Sequence, residues 1–357
     1  MPGAVYLQGR GLASALGTDL DAAIACLRTG GVAPRPMEAA PGCTWPYFAI
    51  PADNRDWRAR ARELIRGVMA QAGTGAHALR DAPLILASSS LNVGALEGGA
   101  PYLADCQAFV ERLAEWLDWR GPVAWVSTAC TSSLVALLDA GALVRGGQAG
   151  HAVVLGVELA NRFSSAGFGA MQLLDADTPR PLAHARGGLV LGEAVAALVV
   201  GREPARWRLC GGANRIDADP AGANRDAVAR TVRAALADSG LAAGDIDLLK
   251  LQAAGSPHND AEEIAGLRTV FGTLPPLTTL KHVIGHTLGA AGAAELALMT
   301  AGIEHGVPPP APPATPDPAL AARCIDTWPT ARYLLANILG FGGGHTCLVL
   351  EDTQAPA

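Results

Sequence analysis

The chain reads as an α/β protein. Short apolar runs alternate with helical patterns along its whole length. Half of the 357 residues are hydrophobic and only 17% are charged, enough apolar material for a large core. Glycine (42) and proline (25) fall between the periodic segments and form no low-complexity tract.

In chain order, the apolar runs predict strands over residues 4–9, 83–87, 123–126, 152–155, 189–200 and 346–350. Helical spacing predicts helices over 19–28, 58–71, 106–116, 134–145, 225–238, 261–270 and 290–303. The length suits two ordinary domains or one large fused unit, and the order of elements restarts near Glu203 with no sequence repeat across that point. The proline-rich stretch 308–318 reads as a surface loop in preference to a polyproline ligand.

The formal net charge is −6, and the letters show no basic stripe or aromatic–basic cluster, which argues against nucleic acid. An acidic protein partner would need a local basic patch. No run of eighteen apolar residues predicts a membrane span, and Met-Pro-Gly-Ala-Val-Tyr has neither the basic nor the apolar region of a signal peptide, so a cytoplasmic location is expected. Seven cysteines, at 26, 43, 106, 130, 210, 324 and 347, form no CxxC pair; neither a disulfide framework nor a metal site is expected, and no cofactor motif is present.

One cysteine stands in special surroundings. Ser-Thr-Ala-Cys-Thr-Ser-Ser (127–133) follows the strand at 123–126 and opens the helix at 134–145. Cys130 is thus placed at a tight strand-to-helix turn near the positive end of a helix dipole, where a thiol is expected to lose its proton more easily. Small neighbours leave room for a substrate, as at a nucleophile elbow. Local chemistry alone leaves two readings open, a nucleophile or a buried cysteine capping a core helix.

Further segments resolve that choice by resemblance. The 127–133 turn is similar to the Thr-Ala-Cys-Ser-Ser-like turn of the β-ketoacyl-acyl-carrier-protein synthase (ketosynthase) family. Thr279-Leu-Lys-His-Val-Ile-Gly-His-Thr-Leu-Gly-Ala-Ala-Gly-Ala-Ala-Glu295 resembles that family's lysine and glycine–histidine motif. Asn337-Ile-Leu-Gly-Phe-Gly-Gly-Gly-His345 resembles its C-terminal glycine-rich loop, and Gly9-Arg-Gly-Leu-Ala-Ser-Ala-Leu-Gly17 and Thr178-Pro-Arg-Pro181 with Gly192-Glu193 also fit. These segments span nearly the whole chain in family order. The resemblance implies a thiolase-like fold of two pseudo-repeated halves in a five-layered αβαβα arrangement, residues 1–203 carrying the cysteine and 204–357 the histidine and the glycine-rich loop. It implies an acyltransferase acting on acyl-carrier-protein thioesters through acyl-Cys130 in fatty-acid or polyketide-type synthesis, working as a dimer. By the same matching, His286 stabilises the thioester enolate, and Lys281 and Glu295 form a buried pair that orders the site. The N–H groups of Cys130 and Phe341 form an oxyanion hole, with Phe341 gating the acyl pocket.

The departures are specific. Where the family opens a His-Gly-Thr-Gly-Thr-Pro segment, this chain has Gln252-Ala-Ala-Gly-Ser-Pro-His-Asn-Asp260. Gly255, Pro257, Asn259 and Asp260 keep the frame, so Gln252 stands where a histidine belongs, and His258, six residues on, is not expected to replace it. Glutamine can donate a hydrogen bond but carries neither proton nor charge. His345 replaces an asparagine, and Leu182-Ala-His-Ala-Arg-Gly-Gly-Leu189 keeps only Arg186 and Gly188 of the usual pattern. The chain is also shorter than most relatives. These changes imply impaired condensation or, as the alternative, a non-elongating or chain-length-factor-like subunit of a heterodimeric ketosynthase. Retention of Cys130, which chain-length-factor-like subunits usually lose, favours acyl chemistry.

Overall fold

The computed structural model describes residues 3–51, 56–75, 77–100, 106–218, 223–312 and 314–356. Its strands are β1 (Val5–Ala13), β2 (Arg35–Ala40), β3 (Cys43–Phe48), β4 (Leu84–Ala87), β5 (Val123–Val126), β6 (His151–Glu158), β7 (Leu191–Gly192), β8 (Ala194–Gly201), β9 (Trp207–Ile216), β10 (Leu248–Lys250), β11 (Leu277–Thr278), β12 (Tyr333–Gly340) and β13 (Gly344–Asp352). Ten of them form one sheet, in the order β11-β10-β12-β13-β9-β1-β8-β6-β4-β5, and β2-β3-β7 form a small second sheet.

The large sheet contains the same arrangement twice. From β1, the order β1-β8-β6-β4-β5 pairs antiparallel, antiparallel, parallel, parallel. From β9, the order β9-β13-β12-β10-β11 repeats those four relations. A short antiparallel contact, Val5 opposite Leu209 to Leu7 opposite Trp207, joins the two.

Strands buried on both faces must be apolar at every position. In β6, Ala152 and Val154 face a central core while Val153, Leu155 and Val157 face an outer one. In β12, Leu334, Ala336 and Ile338 face the central core, and Leu335 and Leu339 face a third. Helices Trp57–Gln71 and Cys106–Trp116 cover one outer face; Arg225–Ser239 and Pro257–Phe271 cover the other. Helices Ser132–Arg145 and Ala291–Glu304 lie between, giving the five layers of the thiolase-like arrangement. A helix enclosed on all sides must be apolar all round, and Ala291 through Gly302 are all buried. Gly292 is needed there because a Cβ would approach Leu134 Cγ to 2.6 Å.

Several expectations are corrected. The strand read over 189–200 breaks at Glu193, which separates β7 from β8 and turns its carboxylate inward to Arg60 Nη2 (2.6 Å), the Ile50 N–H (2.8 Å) and the Ala160 N–H (2.8 Å). The helix read over 261–270 begins earlier, at Pro257, because Ser256 caps it by accepting from the Asn259 N–H. The glycine-rich loop is a tight hairpin turn over 341–343, and Asn337 lies inside β12. Strands β2, β3, β9, β10, β11 and β12 were not foreseen: glycines and arginines interrupt β9, β10 and β11 are only three and two residues long, and the apolar run of β12 was passed over. Arg58, Arg62 and Arg66, spaced by four on an exposed helix face, do form a basic stripe. The proline-rich segment is tied to the fold: His282 Nε2 donates to the Pro310 carbonyl (2.6 Å) and the Asp317 N–H to the Leu182 carbonyl. No described helix is long and apolar enough to cross a membrane.

Candidate functional site

The site forms where the carboxyl ends of β5, β10, β11 and β12 converge, the general place for ligands in open α/β sheets. Cys130 lies between β5 and helix Ser132–Arg145, in a turn held by its own hydroxyls. Thr131 Oγ1 donates to the Thr128 carbonyl (2.6 Å), and Ser132 Oγ donates to the Ala129 carbonyl (2.6 Å) while accepting from the Thr128 N–H (2.9 Å). The turn puts Ala129 at φ +52°, a left-handed conformation costly for a residue with a Cβ. The β12–β13 turn packs directly over it, since a Cβ on Gly340 would lie 3.3 Å from the Cys130 nitrogen.

His286 arrives on a segment with equally firm backbone constraints. Gly285 has φ +72°, and a Cβ there would meet the Leu191 carbonyl and Phe48 Cδ2, each at 2.8 Å. The His286 N–H donates to the Val190 carbonyl (2.8 Å) and its carbonyl accepts from the Gly192 N–H (3.1 Å). The glycine–histidine and glycine–glutamate motifs are therefore two sides of one contact.

The sequence-predicted residues meet. His286 Nε2 is 3.0 Å from Cys130 Sγ, and Gln252 Nε2 is 3.5 Å from His286 Nε2. Cys130, Gln252, His286 and Phe341 wall a cavity of about 20 Å³, room for roughly one water. The Phe341 ring packs edge-on against Phe168, centroids 5.5 Å apart. Gln252 Oε1 and His286 Nδ1 have no hydrogen-bond partner among the described residues. His258 sits elsewhere, its Nε2 at the Ala223 carbonyl (3.2 Å).

Asp260 accepts from the N–H groups of Leu182 (2.9 Å), Ala254 (3.1 Å) and Gly255 (3.1 Å), tying the altered 182–189 segment to the Gln252 loop. Burial pushes its carboxyl up to about 6. Glu263, one helical turn later, was missed. It accepts from the Gln252 and Ala253 N–H groups (both 2.8 Å) and from Asn337 Nδ2 (2.6 Å), and burial raises it to about 7. Lys250 was missed as well. Glu295 pairs with Lys281, as expected, but its other oxygen pairs with Lys250, and all three side chains are buried. The available signals were a lysine inside the apolar run Leu248-Leu-Lys-Leu251 and a glutamate three residues after Asp260. Glu158 accepts from Ser89 Oγ (2.6 Å), Ser90 Oγ and the N–H groups of Ser89 and Gly289. His345 is buried with neither ring nitrogen partnered among the described residues.

The thiol does not behave as its helix position suggested. Burial raises Cys130 to about 11, against opposing pulls from the Lys281 charge and the Phe341 N–H. Burial, then Lys281 and Lys250, holds His286 well below the usual imidazole range. The pair therefore rests as neutral thiol and neutral imidazole. With the ring proton on Nδ1, Nε2 accepts from the thiol, so a thiolate here is made by proton transfer to His286.

This fold and this cysteine–histidine pocket define a thiolase-like condensing-enzyme scaffold. A family model described as Beta-ketoacyl synthase, N-terminal domain matches residues 87–205, and Beta-ketoacyl synthase, C-terminal domain matches residues 211–315. The tetracenomycin polyketide synthase ketoacyl synthase alpha subunit of Streptomyces glaucescens is 33% identical over 295 residues, covering 71% of this chain and 68% of that protein. The actinorhodin polyketide putative beta-ketoacyl synthase 1 of Streptomyces coelicolor is 32% identical over 266 residues, covering 66% of this chain and 56% of that protein. A ketosynthase in complex with its chain length factor from Xenorhabdus doucetiae shares the fold at a TM-score of 0.85 and 24% identity, covering 98% of each chain. The chain belongs to the beta-ketoacyl synthase family.

Proposed function

We propose that this protein transfers acyl groups between carrier-protein thioesters through Cys130, with the following condensation slowed by Gln252. The observation that carries this is the 3.0 Å contact of Cys130 Sγ with His286 Nε2 in a pocket walled by Gln252 and Phe341. In loading, Cys130 sulfur bonds to the acyl carbonyl carbon, the carrier's C–S bond breaks, and the thiol proton passes through His286 Nε2 to the departing thiolate. The N–H groups of Cys130 and Phe341, both directed at the sulfur, would hold the carbonyl oxyanion. In condensation, a malonyl thioester loses carbon dioxide and its enolate carbon attacks acyl-Cys130, expelling the cysteine thiolate. The Gln252 amide N–H, and His286 once its ring proton stands on Nε2, would share the enolate oxygen. An amide there supplies a hydrogen bond but no proton, so that step runs slower by about 10² to 10⁴. Residues 1–203 and 204–357 are taken as the two halves, a division supported by the repeated strand order and by family models that meet between 205 and 211. The partner is an acyl carrier protein, and the exposed Arg58, Arg62 and Arg66 offer an acidic partner a basic face.

A second reading is favoured by Gln252 together with a cavity of only about 20 Å³: a subunit of a heterodimeric ketosynthase, whose partner does the condensing. Incubation with an acyl carrier protein separates the two. Peptide mass spectrometry should find one adduct, on the Cys130 peptide, absent in Cys130→Ala. Equal labelling of Cys26 or Cys210, or labelling that survives Cys130→Ala, would overturn the acyl-enzyme reading.

A further inference from the structure

Lysine occurs only at positions 250 and 281; all other cationic side chains in the Lys+Arg total of 27 are arginine. Both lysines are buried, and both reach the same carboxylate, Lys281 Nζ at Glu295 Oε1 and Lys250 Nζ at Glu295 Oε2. An ammonium is a compact charge that fits where a guanidinium fork would not. One carboxylate against two ammoniums leaves positive charge in excess. The other titratable groups facing this cluster are Cys130, His286, Glu263 and Cys347. Glu263 offsets only part of the excess, because burial raises its carboxyl to about 7 and leaves it partly protonated at neutral pH.

We propose that Lys250 is a positioning residue that keeps an excess of buried positive charge beside the Cys130–Gln252–His286 pocket, giving a developing oxyanion the cationic field that the Gln252 amide lacks. This rests on the acyl-transfer reading. Lys250 ends β10 two residues before Gln252, so the same short stretch of chain delivers the second cation and the neutral amide. Burial first, and then both lysine charges, keep His286 neutral in the resting protein, while the same charges favour the thiolate and oxyanion formed beside it.

Two lysines make the test direct. Protein labelled with carbon-13 at lysine Cε gives two signals, and both should show ammonium shifts at pH 7. Lys250→Met removes one charge at similar volume and leaves Glu295 paired with Lys281, so no buried charge is orphaned. Labelling histidine with carbon-13, with His286→Gln to assign the signal, should show the His286 pKa rising by about one unit or more in Lys250→Met. An unchanged His286 titration in a variant with the parent's melting temperature overturns the proposal. Should Lys250→Met not fold, the parent's lysine signals decide: two ammoniums support it, and one free amine at pH 7 overturns it. These titrations need no turnover. A parent protein that never acylates Cys130 would sink the acyl-transfer reading while leaving the charge measurement standing.

Discussion

The two halves build the same connection and equip it differently. In the first, edge strand β5 enters inner helix Ser132–Arg145 through residues 127–131, a turn held by neutral hydroxyls. In the second, edge strand β11 enters inner helix Ala291–Glu304 through residues 279–290, long enough to carry both Lys281 and His286. Each half also buries a carboxylate near the site. Glu158 is satisfied by serine hydroxyls and backbone N–H groups, whereas Glu295 is satisfied by two ammoniums. A pseudo-repeat thus brings an uncharged thiol face to face with a cationic wall, a division of labour that one half could not provide.

Exchange of the two carboxylates for amides tests that contrast, and it carries the largest expected effect. Glu295→Gln would leave two buried ammoniums without a counter-charge and should lower unfolding stability by about 3–5 kcal/mol in a denaturant titration. Glu158→Gln disturbs only neutral donors and should cost about 1–3 kcal/mol. Equal losses would break the comparison.

Glu263 sharpens it through pH. Its proton is held more tightly in the folded protein, because burial raises its carboxyl from 4.5 to about 7. The stability this contributes is complete below about pH 4.5 and is lost as pH rises through about 7. Across that window the loss should amount to about 2–3 kcal/mol. Glu263→Gln should flatten the curve, leaving the smaller slope of Asp260, which ends near its own value of about 6. A Glu263→Gln protein with the parent's pH dependence would show that this carboxylate is not the group titrating.

Legibility followed the strength of local constraint. Cys130, His286, Phe341 and Gln252 were readable because each sits in a segment whose glycines and hydroxyls have backbone duties, such as Gly285 at φ +72° and Thr131 on the Thr128 carbonyl. The helices at 106–116 and 225–238 were readable from their periodicity, and the outer helix faces match it. Lys250 and Glu263 were not, because their roles depend on partners far along the chain, Glu295 and Asn337. The acidity of Cys130 was misread for an energetic reason. A helix terminus contributes up to about 2 kcal/mol to an anion, and full burial of a charge outweighs that.

The smallest effect concerns the one position where the two histidine stations of the family differ. Gln252→His would place an imidazole beside His286 Nε2, from which the present amide is 3.5 Å away. Glutamine and histidine are similar in reach, and the unpartnered Gln252 Oε1 shows that no described neighbour depends on the amide oxygen. A donor correctly placed on the malonyl thioester oxygen should raise carbon dioxide release about ten-fold, roughly 1.4 kcal/mol of barrier. The parent, assayed alone with acyl and malonyl carrier proteins, should release little. Vigorous condensation by the parent would mean that the amide suffices once the two lysines and His286 are in place. A flat response in Gln252→His, with Cys130 acylated, would put the remaining block in the remodelled Leu182-to-Leu189 segment that Asp260 ties to the loop. The same flat response with Cys130 unacylated would leave the partner-subunit reading as the one that stands.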